Sequence, residues 1–187
     1  MPAASRSTTA TASSWCIPLD KARLTLREVV LFGILGALTF AAQVVMAGLP
    51  NIEPVSLMVM VCAAVFGWKC LYPVYVFVVM EILYHGLGIW NINYLYIWTI
   101  LAVAAMLLRN INHSLGWALL SGLFGLAFGA LCGIVDVFIG GLGYAAAKWA
   151  SGIPFDIAHC AGNFTIALVL FVPLRNLMEK LWDRMKK

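Results

Sequence analysis

The chain has 187 residues, 63% of them hydrophobic and 11% charged, with a mean hydropathy of +0.95 and a formal net charge of +4. A soluble domain of this length needs a polar shell that this composition cannot supply, so repeated apolar runs between short polar breaks indicate a multispanning membrane protein of one domain. No basic stripe with interleaved aromatics is present, which removes nucleic acid as a partner.

Residues 1–23 read as a disordered cytoplasmic tail; the first of them, Met1–Ser14, are small, rich in Ser, Thr and Ala, and nearly uncharged. Arg6 and the hydroxyls resemble a targeting segment, but no apolar stretch with a cleavage site follows closely. From residue 24 onward the apolar runs predict an all-α bundle of six transmembrane helices: Arg27–Leu49, Val55–Trp68, Leu71–Gly88, Ile92–Leu108, Leu115–Phe138 and Pro154–Leu174. The second run makes only about 21 Å of helix against a hydrocarbon core of about 30 Å. It must lengthen through the preceding polar corner, or that corner must dip into the protein. Ile139–Gly152 is Gly-rich and predicts a connection with a short interfacial helix around Tyr144–Trp149. Pro154 fits the first turn of the last span, where its missing N–H costs nothing.

Six spans place eleven of the twelve Lys and Arg residues on one side and only Lys148 on the other. The positive-inside bias then makes both termini cytoplasmic.

Polar residues gather at the opposite, outward end. The first loop carries Asn51 and Glu53 between two prolines, followed by Ser56. The third span ends with Glu81, Tyr84 and His85 on one helical face, and the next connection is dense in Trp90, Asn93, Tyr94, Tyr96 and Trp98. In the last span Asp156, His159 and Asn163 fall at i, i+3 and i+7 and share a face, which must look toward protein, water or ligand. Apolar walls, few polar groups and aromatic plates form the usual lining of a small-molecule site. Plainer readings compete: Trp90, Tyr94, Tyr96 and Trp98 suit an interfacial aromatic belt, Asp156 suits a helix N-terminus, and Asp136 suits a loop cap.

The spacings H-x-x-E-H and H-E-x-x-H are absent, and five single cysteines form no C-x-x-C pair, so no metal site or disulfide is expected. Glu81 with His85 and Asp156 with His159 leave a four-ligand metal centre as the minority reading. There is no phosphate-binding G-x-x-x-x-G-K-[ST] and no G-x-S-x-G; energy must come from a partner, and catalysis has no support. No repeat recurs at a fixed period. In the first span Gly33, Ala37 and Ala41 are spaced by four, a pattern that lets another helix approach closely, inside the chain or from a partner.

Over Leu24–Leu181 these features together resemble the substrate-binding S component of an energy-coupling factor (ECF) vitamin transporter: size, six spans, inward termini, the Gly33/Ala37/Ala41 series, outward recognition residues, and a last helix with Asp156, His159, Gly162, Asn163 and Pro173-Leu174. The resemblance implies a non-enzymatic subunit of a prokaryotic cell membrane that captures a vitamin or precursor from outside. It implies docking through the first-span face onto a transmembrane coupling protein driven by two ATPase subunits, which consume the ATP, and toppling in the membrane to release cargo. The outward set read above, Asn51, Glu53, Glu81, Tyr84, His85, Trp90, Asn93, Tyr94, Asp156, His159 and Asn163, is then expected at the substrate, with no cofactor of the chain's own. The corner Pro50-Asn51-Ile52-Glu53-Pro54-Val55 is similar to a P-N-x-x-P-V corner in members assigned to cobalamin or its α-ribazole precursor. Gly33 stands where the family has alanine, and the Trp90–Trp98 segment is unusually aromatic. A small membrane enzyme built on Glu81, His85, Asp156 and His159, and a structural or assembly subunit, are the alternatives.

Overall fold

The structure is a computed structural model and describes residues 24–48 and 53–187. Among them every regular element is helical: α1 (Leu26–Met46), α2 (Val55–Phe66), a 3-10 turn (Gly67–Cys70), α3 (Leu71–His85), α4 (Trp90–Leu107) and α5 (Ser114–Met185). Four stretches are long and apolar enough to cross a membrane: Leu26–Met46, Val55–His85, Trp90–Leu107 and Ser114–Met185. The predicted tail and Asn51 lie outside the described residues.

Local chemistry explains the helix ends. Thr25 and Glu28 form a capping box on α1, Thr25 N–H donating to Glu28 Oε2 (2.8 Å) and Glu28 N–H to Thr25 Oγ1 (3.3 Å). Gly67, at φ 57°, ends α2, and Gly86, at φ 82°, ends α3; both need a conformation that side chains resist. His113 caps α5 by accepting the Gly116 N–H at Nδ1 (3.0 Å).

α5 differs most from expectation. It is helical from end to end except at Gly141 (φ 80°, ψ 176°), where two helices meet across a kink. The predicted connection at 139–152 is therefore one glycine wide. Pro154 does not open a helix but sits inside one, exposed, as does Pro173. The second arm, residues 142–185, makes about 65 Å of helix and overshoots a hydrocarbon core of about 30 Å.

Packing sorts the two ends of the bundle. At one end Lys69 Nζ donates to Glu28 Oε1 (2.6 Å), Arg27 Nη1 to the Met185 carbonyl (3.3 Å) and Arg175 Nη1 to the Ile111 carbonyl (3.2 Å). Trp182 packs on Phe32 and Phe66 there. The start of α1, the α2–α3 turn, the α4–α5 loop and the end of α5 thus share one basic end. The middle is an apolar core in which Met60, Phe77, Trp98, Trp117 and Phe171 are fully buried. Outside, Leu26, Val30, Ile34 and Leu38 run down α1 as an exposed stripe at every fourth residue. An apolar exterior over a buried core is the pattern of a lipid-facing bundle.

Glycines set the closest approaches. A Cβ on Gly36 would lie 2.6 Å from Val76 and 2.7 Å from the Pro73 carbonyl oxygen, so α1 meets α3 there. On the first arm of α5, Gly122, Gly125 and Gly129 face the second arm: a Cβ on Gly125 would meet the His159 backbone at 2.9 Å, and one on Gly129 would run into the Asp156 carboxylate. This inter-arm stripe brings Asp156, His159 and Asn163 into the bundle.

Candidate functional site

The shared face of the last helix is buried: Asp156, His159 and Asn163 are 6%, 3% and 1% exposed. Each has a different neighbour. Asp156 Oδ1 accepts from the Gly129 N–H (3.0 Å), His159 Nε2 lies 3.3 Å from Glu53 Oε1, and Asn163 Nδ2 donates to Ser56 Oγ (3.0 Å). Glu53 and Ser56 flank the start of α2, so the polar corner reaches the last helix, one of the two outcomes that the shortness of the second apolar run left open.

A line of aromatic rings joins this face to the end of α3. His159 packs edge-on to Phe128 (5.0 Å between centroids), Phe128 against Trp98 (5.9 Å), Trp98 against Tyr94 (5.4 Å), Tyr94 against Trp90 (5.1 Å), and Trp90 against His85 (6.1 Å). Phe77 closes the line from α3, 6.0 Å from Trp98. Glu81, one turn beyond Phe77, is 2% exposed, and its Oε2 lies 3.6 Å from His85 Nε2. Glu81 and Tyr94 both lie within electrostatic range of Glu53. The predicted α3 and last-helix faces thus border one region, at the end of the bundle away from Arg27, Lys69 and Arg175.

Several side chains there keep buried polar atoms with no hydrogen-bond partner among the described residues: Glu53 Oε1, Glu81 Oε1, Trp98 Nε1, His159 Nε2 and Asn163 Oδ1. The Glu53–His159 approach is close enough for an ion pair but too poorly aligned to satisfy either atom. An unpaired buried polar atom costs about 1–3 kcal/mol, and native structures carry few without a reason. These five lie around one aromatic wall.

Other predicted site residues are engaged elsewhere. Tyr84 is 65% exposed and packs edge-on to Phe40 on the outside. His85 is also largely exposed, at the rim, and Trp90 is half-buried. Asn93 is buried, but its Oδ1 sits 3.0 Å from the Tyr96 hydroxyl, which also lies 2.6 Å from the Leu131 carbonyl oxygen. Asp156 is held by the Gly129 N–H through Oδ1. Asp136 is no loop cap: it lies within continuous helix, 4% exposed, and accepts from Lys148 Nζ (2.6 Å) across the Gly141 kink. Ser56, Phe77, Trp98 and Phe128 border the same region; Ser56 and Trp98 stood among the outward residues without an expected binding role, and Phe77 and Phe128 were not singled out. Trp98 and Ser56 carried a signal, as polar groups one or two turns from residues that were singled out.

The small-residue face of α1 lies apart from this region. Gly33 has nothing within 4 Å of where a Cβ would stand, Ala37 is half-buried and Ala41 exposed. Among the described residues no three His, Cys, Asp or Glu side chains lie close enough to share a metal ion.

Compared with known proteins, the chain matches no family model, and no curated protein or solved structure is significantly similar to it.

Proposed function

We propose that this chain is the substrate-binding S component of an ECF-type importer in a prokaryotic cell membrane, capturing a vitamin-like organic molecule at the end of the bundle opposite its basic end. The observation that carries the reading is the set of buried, unpartnered polar atoms on Glu53, Glu81, Trp98, His159 and Asn163 along one aromatic wall. In this reading the chain crosses the membrane six times: α1, α2, α3, α4 and the two arms of α5, with Gly67 and Gly141 at two of the reversals. Grouping of Arg27, Lys69 and Arg175 near the end of α5 supports placing that end in the cytoplasm.

The chain itself performs no catalysis. A coupling membrane protein docks on the face with Gly33, Ala37 and Ala41, where the open surface supports contact with another helix. Two ATPase subunits supply the energy. The cobalamin-related assignment rests on the Asn51 corner alone and remains a narrower proposal. Organic extraction of the purified chain followed by mass spectrometry tests the reading: one small organic molecule should recur across preparations, whereas repeated absence of any would favour a structural subunit.

A further inference from the structure

Resting on the binding reading above, we infer that the captured molecule is an aromatic cation rich in N–H groups, such as an amino- or amidino-substituted ring, held by Glu53 and Glu81.

The argument begins with the balance of unpaired atoms. Of the five buried side-chain atoms on this wall without a partner among the described residues, three are oxygens that only accept: Glu53 Oε1, Glu81 Oε1 and Asn163 Oδ1. One, Trp98 Nε1, only donates. A guest that satisfies this wall must bring mainly donors, with one acceptor for the Trp98 indole. Four of the unpartnered groups of the site are on residues at least nine-tenths buried: Glu81, Trp98, His159 and Asn163.

Charge points the same way. Glu53 and Glu81 bring two carboxylates to the region, and Glu81 has no Lys or Arg partner among the described residues. The basic side chain described toward that end of α5, Lys148, is already bonded to Asp136 at 2.6 Å. Arg27, Lys69 and Arg175 are engaged at the other end. An anionic guest would meet two like charges and, among the described residues, no free Lys or Arg at this end; a cationic guest would relieve both carboxylates. Each carboxylate has only a histidine for a basic neighbour among the described residues, His159 beside the partly buried Glu53 and His85 beside the buried Glu81; carboxylates held out of water without a Lys or Arg are costly, and a bound cation offsets that cost. The wall is aromatic as well, Tyr94 and Trp98 meeting edge to face, and aromatic rings are the side chains that attract a cation.

The test uses two probes of nearly the same shape and opposite charge, benzamidine and benzoate, added to the purified full-length chain in detergent and read by thermal unfolding. Benzamidine should raise the unfolding temperature in a concentration-dependent way, and benzoate should not. Glu81→Gln should weaken the benzamidine effect about 10- to 100-fold in apparent affinity, the range expected for a lost charge-assisted hydrogen bond. Glu179→Gln, on an exposed acid paired with Arg175 near the basic end, should leave it unchanged. Stabilisation by benzoate instead, equal stabilisation by both, no stabilisation by either, or a benzamidine effect that survives Glu81→Gln would overturn the inference. A co-purified neutral or anionic molecule that is lost on Asn163→Ala would leave the binding reading standing while refuting the cation.

Discussion

His159 Nε2 lies 3.3 Å from Glu53 Oε1, so the deep face of the last helix touches the corner that leads into α2. Neither atom gains a well-formed hydrogen bond from the approach. The pair is a contact between two elements far apart in sequence.

That placement predicts graded losses of binding. His159→Ala and Asn163→Ala should each weaken ligand binding by about 1–3 kcal/mol, or about 5- to 150-fold, because each leaves a ligand group unpaired. Tyr84→Phe should have little effect, since Tyr84 is exposed on Phe40. Titration of each purified variant without ATPases reads this directly, and a large loss for Tyr84→Phe alone would relocate the site.

Asp136 and Lys148 predict an asymmetry in stability rather than in binding. Lys148→Ala leaves a buried carboxylate without its cation, whereas Asp136→Asn removes the charge along with the need for a partner. Lys148 is about half exposed, so solvent screens part of the interaction. Lys148→Ala should therefore lower the unfolding temperature more than Asp136→Asn, with ligand affinity little changed in either. Thermal unfolding in detergent checks the order.

The last-helix face was legible because a three-then-four spacing of polar residues in an apolar helix admits few arrangements, and Asp156, His159 and Asn163 are indeed all buried. The same reasoning misjudged Tyr84: it lies three residues from Glu81 but near the helix end, where the neighbouring elements no longer cover it. Spacing also could not reveal the Asp136–Lys148 bond, which depends on the kink at Gly141. The stripe Gly122, Gly125 and Gly129 was visible, yet glycine is frequent in membrane helices and marks an interface only once its partner is known. Breaks in the chain were the least legible feature, because the glycines of 139–152 look alike and only Gly141 takes a positive φ.

Two kinds of small residue on α1 should respond differently. Gly36→Val forces a side chain into Val76 and the Pro73 carbonyl, and overpacking of this kind costs about 1–3 kcal/mol or more. Ala37→Trp meets a half-buried, more open face; it should leave folding and ligand binding intact while blocking assembly with a coupling partner. Co-purification of the complex, paired with ligand titration, separates the effects. Joint loss of folding and binding in Ala37→Trp would make that face internal.

Orientation is tested by labelling a cysteine-free version. A cysteine replacing Arg109, in the α4–α5 loop at the basic end, should react only after permeabilisation, and one replacing Ala147 should react in intact cells. The reverse pattern would move the site to the cytoplasmic face.

If the chain is a binding subunit as proposed, one organic molecule occupies the region between Glu81 and Asn163. The most direct measurement is its stoichiometry by mass spectrometry on wild type and on a Glu81→Gln/Asn163→Ala variant, both confirmed folded by thermal unfolding. A near-stoichiometric small molecule on wild type, absent from the variant, is the predicted result. A molecule retained equally by both, or found on neither, would contradict the account.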